Sequence, residues 1–172
     1  MTLARRSRAV GTASPKAAAD ALALTDLGCA CASARRLART LTQLYDRRLR
    51  TVGIEAPQFA ILATLQRGPM SQSALGRRHA LDKATVSRNV QGLVRKGWVA
   101  FVASNDRRVR QVVLTPAGQE RFAKARVEWQ QAQTELQSVM TGAQWRAMFA
   151  TFRAVTTATL ELQRSHDTRS QP

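Results

Sequence analysis

The hydrophobic period of this chain changes after Gly97 from about 3.6 residues to about 2, a change no single element can accommodate. Upstream of it, Ser71 can cap a helix that runs through about His79. The link Ala80-Leu81-Asp82 allows only a tight turn, and Asp82 can cap a second helix from about Lys83 to Lys96. Gly97 stops that helix. Trp98–Ala103 and Val109–Leu114 then alternate as two strands joined by Ser104-Asn105-Asp106-Arg107-Arg108. Residues 71–114 therefore read as helix, turn, helix and a hairpin with a basic tip. This is the pattern of a winged helix-turn-helix.

Helices flank this unit on both sides. Leu37, Leu41, Leu44 and Leu49 share roughly one face of a helix that begins near Ser33 and ends at Thr51-Val52-Gly53. A second helix runs from about Pro57 to Gln66, with Phe59, Leu62 and Leu65 on its buried side. After the hairpin, Thr115 can cap and Pro116 can start a long helix carrying Phe122, Ala125, Trp129, Ala132, Leu136 and Val139. Thr141-Gly142 interrupts it, and a last helix carries Trp145, Met148, Phe149, Phe152, Val155 and Leu160. The fold class is mainly α with a small β-hairpin wing. Residues 1–25 read as a flexible basic arm, 26–163 as a single domain, and 164–172 as a tail. Within the domain, about 54–116 forms the winged helix-turn-helix.

The charge is not spread evenly. The formal balance is +16, and residues 67–110 hold ten bases against two acids, about half of that excess. A small foldable chain with its positive charge gathered in one segment binds a polyanion, and nucleic acid is the commonest. In the helix from Lys83, the residues Val86, Val90, Leu93 and Val94 take the core side, while Ala84, Arg88, Gln91 and Arg95 lie elsewhere. An apolar side that anchors and a short, polar side that enters a major groove is how such a helix reads base edges. Lys83, Ala84, Thr85, Ser87, Arg88 and Gln91 are the candidate recognition residues. Ser71, Arg77 and Arg78 are candidates for phosphate contacts, which set register rather than sequence. Arg107 and Arg108 at the hairpin tip suit the narrow, strongly negative minor groove, with Asp106 placed to orient one of them.

At these residues the chain resembles the MarR family of bacterial transcriptional regulators. Leu81-Asp82-Lys83-Ala84-Thr85-Val86-Ser87-Arg88 is similar to the family's recognition helix. Asp106-Arg107-Arg108, followed by Val113-Leu114-Thr115-Pro116-Ala117-Gly118, is similar to its wing and the entry to the next helix. The likeness spans roughly residues 33–163. It implies a triangular homodimer in which helices at about 33–50 and 117–163 intertwine, with paired heads on a pseudo-palindromic duplex. It also implies a repressor released by a small ligand such as an aromatic or phenolic acid, for which Arg39, Tyr45, Arg48 and Phe59 are candidate lining residues. Cys29 and Cys31 are the alternative switch, through oxidation, although Tyr45 is the sole tyrosine and the partner-subunit tyrosines of peroxide-sensing relatives have no match. Inert cysteines remain the competing reading. His79, where the family carries a small or aliphatic residue, reads as a solvated histidine rather than a pH sensor.

Other classes fit poorly. No Ser/His/Asp constellation, phosphate-cradling glycine loop or paired-carboxylate site exists, so no catalytic residue and no enzyme is expected. Two cysteines far from both histidines do not make a zinc site, so neither metal nor cofactor is expected. No run of eighteen apolar residues exists to span a membrane, and the start lacks a secretory hydrophobic segment, so the expected location is cytoplasmic. The rival reading is a nucleoid-type protein that coats DNA with little sequence preference.

Overall fold

The structure is a computed structural model that describes residues 28–103 and 109–169. The chain divides into two compact units, residues 1–43 and 44–172. The arm at 1–25 and the wing-tip residues Asp106, Arg107 and Arg108 lie outside the described residues.

Helix α1 spans Ala30–Leu49, starting three residues before the expected Ser33. In the first unit it is largely exposed, Leu37 included. In the second unit its end is buried through Asp46 and Leu49. A short 3-10 turn, Arg50–Val52, closes on Gly53 at φ 70°, the left-handed value that glycine adopts freely. Helix α2 is Ala56–Leu65, with Pro57 in its first turn and a capping box between Glu55 and Gln58. The Asp46 carboxylate fixes its entry by accepting the Ala56 N–H at 2.7 Å and an Arg50 guanidinium N–H at 3.3 Å.

Strand β1, Met70–Ser71, is two residues long and leads directly into α3, Gln72–His79. Sequence periodicity did not anticipate it, because two residues carry no period. After the link, α4 runs Lys83–Arg95, with β2 at Val99–Ala103 and β3 at Arg110–Leu114. The hairpin is thus one part of a three-stranded antiparallel sheet of order β1-β3-β2, in which Val112 faces both Met70 and Phe101. Helix α5 is Pro116–Ser138 and α6 is Gly142–Arg169. The expected tail from residue 164 is helical through Arg169, since no glycine or proline after Gly142 interrupts the segment.

One continuous core holds the second unit together. Leu49, Ile54, Ile61, Leu62, Leu75, Val86, Val90, Leu93 and Val112 are almost wholly excluded from solvent. Phe59 of α2 stacks on Phe122 and Trp129 of α5, with centroids 5.4 and 5.8 Å apart. These pairs fix α5 against the head.

The tightest joint lies where β2 and β3 meet α5. Thr115 caps α5 by accepting the Gly118 N–H at 3.0 Å, and its hydroxyl donates to the Gly97 carbonyl at 2.6 Å. Its own N–H donates to the Trp98 carbonyl at 3.1 Å. Gly118 packs so closely there that an added Cβ would lie 1.9 Å from the Trp98 carbonyl oxygen. The Trp98 ring is flanked by Lys96 at 4.5 Å and Arg121 at 5.1 Å, and Arg121 donates onward to the Val52 carbonyl.

Gly118→Ala should therefore cost about 1–3 kcal/mol, because backbone must shift to admit the methyl. Gly92→Ala, whose added Cβ would meet only the end of the flexible Arg95 side chain at 3.9 Å, should instead stabilise by about 0.5–1 kcal/mol. Urea unfolding of both variants checks this, and similar losses from the two would refute the close-approach account.

Candidate nucleic-acid interface

Helix α4 presents its polar side because its other side is committed to the core. Val86, Val90 and Leu93 are buried, so Lys83, Ala84, Arg88 and Gln91 are exposed and Thr85 and Ser87 half-buried. Asp82 caps the helix: one carboxylate oxygen accepts the Thr85 N–H at 2.9 Å and the other accepts the Thr85 hydroxyl at 2.7 Å. Those bonds from Thr85 hold the Asp82 carboxyl below its ordinary pKa, so it is ionised at neutral pH. The Thr85 hydroxyl in turn accepts an Arg88 guanidinium N–H at 3.0 Å. A relay from Asp82 through Thr85 to Arg88 thereby lays the guanidinium across the first turn of the exposed face. It can donate there to a guanine edge or to a phosphate oxygen.

Ser71 accepts the Ala74 N–H at 3.2 Å and shares a hydrogen bond of 3.0 Å with Ser73. Through β1 it is also paired with Gln111 of β3. The sheet therefore ties the start of α3 to the hairpin. Arg77 and Arg78 are exposed in the last turn of α3. Arg110, which sequence reasoning did not single out, stacks over Phe101 at 4.8 Å and adds a cation to the exposed end of the hairpin. Its signal was the alternation that places Arg110 and Val112 on one face of β3.

Of the candidate ligand-pocket residues, Phe59, Tyr45 and Arg48 belong to the second unit and each has partners on α5. Phe59 lies in the core, 8% exposed, against Phe122 and Trp129. Tyr45 is half-buried and donates its hydroxyl to Gln133, while burial pushes its phenol pKa up. Arg48 is paired with Glu135 and donates to Gln131 at 3.0 Å. It lines a shallow groove of about 430 Å³ along α5 with Val127 and Thr134. Arg39 is exposed on α1 in the first unit. Cys29 and Cys31 are exposed free thiols. Cys29 Sγ accepts the Ala32 N–H at 3.5 Å, so this thiol sits at the start of α1 as a cap.

His79 is not the solvated histidine expected. It is half-buried, and its Nε2 lies 3.0 Å from the hydroxyl of buried Thr64. Burial, and then the neighbouring Arg78 charge, lower its pKa from the ordinary 6.5. Folding thus favours neutral His79. Its contribution is fully present above pH of about 6.5 and is lost as pH falls through the lower, folded value. Unfolding measured at decreasing pH should show the native chain losing more stability below pH ~6.5 than His79→Gln. Parallel losses would remove the assignment.

The MarR family model matches residues 52–108. The structure is similar to that of the M. tuberculosis transcriptional regulator MosR in complex with DNA, at 32% identity and a TM-score of 0.66, over 76% of this chain and 98% of that one. It is also similar to BpsR of Bordetella bronchiseptica, whose DNA binding is regulated by 6-hydroxynicotinic acid. The TM-score is 0.68 over 74% of this chain and 93% of that one, and at 22% identity the likeness is one of fold. The HTH-type transcriptional regulator YwoH of Bacillus subtilis is 27% identical over 100 residues, 58% of this chain and 73% of the relative.

Proposed function

The chain belongs to the MarR family of transcriptional regulators, and we propose from that premise that it is a homodimeric repressor of a pseudo-palindromic operator. The observation that carries this reading is the Asp82–Thr85–Arg88 relay, which organises an arginine on the exposed side of α4. In this reading residues 54–116 form the DNA-binding head. Lys83, Ala84, Thr85, Ser87, Arg88 and Gln91 meet base edges and adjacent phosphates. Ser71, Arg77 and Arg78 meet the backbone, and Asp106, Arg107 and Arg108 form the wing contact in the minor groove. The DNA complex of MosR supports duplex DNA as the partner.

Helix α6 supports a second copy of the chain as the other partner. Trp145, Phe149 and Phe152 form an edge-to-face ladder along it, with centroids 5.2 and 6.2 Å apart. Phe149, Val155, Leu160 and Leu162 remain exposed. Apolar surface of that extent on one helix is what a dimer interface covers. Release from the operator is assigned to a small ligand, aromatic acids included, or to oxidation of Cys29 and Cys31. The regulation of BpsR by 6-hydroxynicotinic acid supports the first, and the exposure of both thiols supports the second.

Arg88→Ala should weaken operator binding by about 1–3 kcal/mol and random-duplex binding much less. Arg108→Ala should weaken both and reduce the slope of log affinity against log salt by about 1. Titrations of both variants on operator and random duplex check this, and equal losses for Arg88→Ala would sink its role as a base reader. For the thiols, mild peroxide should release the native chain from operator and spare a Cys29→Ser, Cys31→Ser double variant. Identical release would remove the redox switch.

A further inference from the structure

The Thr85 hydroxyl is already committed within the protein. It donates its one proton to Asp82 Oδ2 at 2.7 Å and accepts an Arg88 guanidinium N–H at 3.0 Å. A threonine hydroxyl has a single donor, so none is left for a base. The Thr85 backbone N–H is spent as well, on Asp82 Oδ1 at 2.9 Å. What half-buried Thr85 still has to offer a T·A pair is its Cγ2 methyl. Arg88 differs. It is exposed, and its bond to Thr85 uses one of the five N–H groups of a guanidinium. A fork of donors remains for a guanine edge.

The bond between the two side chains also limits what they can reach. Residues three apart on a helix are neighbours, and successive base pairs are about 3.4 Å apart along the duplex. An arginine paired to the O6 and N7 of a guanine fills that edge, so the side chain tied to it meets the next base pair. Without a donor, Thr85 cannot bond the O4, O6 or N7 acceptors found there. A methyl group does find a partner in the major groove, the C5 methyl of thymine. The same methyl at the same place is carried by 5-methylcytosine. We propose that Thr85 and Arg88 read a single step, guanine by Arg88 and the 5-methyl group of the adjoining pyrimidine by Thr85, so that binding responds to methylation of a cytosine placed there.

The inference rests on the proposed function, in which α4 meets base edges, and it adds which chemical group one of its residues selects. It also divides two roles that Thr85 combines. The hydroxyl positions Arg88, and the methyl is the reading group. Serine keeps the first and loses the second, and valine does the opposite.

The test titrates the full chain, at fixed salt, with a duplex selected from a random pool. Each thymine is replaced in turn by deoxyuridine, which removes only the methyl. At one thymine beside a guanine, affinity should fall about fourfold for each half-site, the worth of one buried methyl. Cytosine and 5-methylcytosine placed at that position should differ by the same factor. Thr85→Ser, which retains the bonds to Asp82 and Arg88, should bring both factors to about one. Thr85→Val should keep them and reduce the penalty for replacing the adjoining guanine by 7-deazaguanine, because Arg88 is no longer held. A selected duplex indifferent to every thymine methyl would overturn the proposal and leave the regulator standing. So would a Thr85→Ser chain that still distinguishes thymine from uracil, since the methyl would then be read elsewhere, as by exposed Ala84. An unchanged 7-deazaguanine penalty in Thr85→Val would overturn the joint reading of the step. A pool that yields no preferred duplex would defeat the regulator and this inference with it.

Discussion

The close approach of α5 to the Trp98 carbonyl is the constraint on which the arrangement of the head depends. Thr115 bonds to the carbonyls of both Gly97 and Trp98, and Gly118 leaves no room for a side chain beside the latter. The point where α4 ends and β2 begins is thereby fixed to the first turn of α5. Trp98, covered by Lys96 and Arg121, seals the joint, and Arg121 carries it on to the 3-10 turn after α1. A reading helix is useful only if its orientation is set by the rest of the molecule. Here that orientation passes through a few backbone contacts rather than through a broad deformable interface.

The chemistry of the exposed side of α4 follows from how the helix is anchored. Burial of Val86, Val90 and Leu93 leaves the helix one free side, and the Asp82 cap both starts the helix and aims Thr85 and Arg88. The same carboxylate thus serves folding and, in the proposed function, recognition. The charge concentrated in residues 67–110 supplies attraction to any duplex. In the proposed function, discrimination between duplexes is left to the few side chains on the exposed side of α4.

What the sequence made legible is what local chemistry decides. Ser71, Asp82 and Thr115 could be named as caps because a cap needs only a side chain and an N–H two or three residues away. The change of period after Gly97 located the hairpin for a similarly local reason. Strand β1 was hidden because its two residues become a strand only by pairing with Gln111 and Val112, far along the chain. Phe59 could be placed on the buried side of α2 from its spacing, but its partners Phe122 and Trp129 lie too far along the chain to be read there. His79 looked solvated because nothing nearby in sequence announces Thr64 as its partner.

The proposed function requires that this chain read a particular duplex rather than coat DNA in general. Selection of bound sequences from a random duplex pool, at a fixed salt of ~150 mM, tests it most directly. A specific reader should select a two-fold symmetric consensus bound at least about tenfold more tightly than the unselected pool. An unenriched pool, or a ratio below about tenfold, would contradict it.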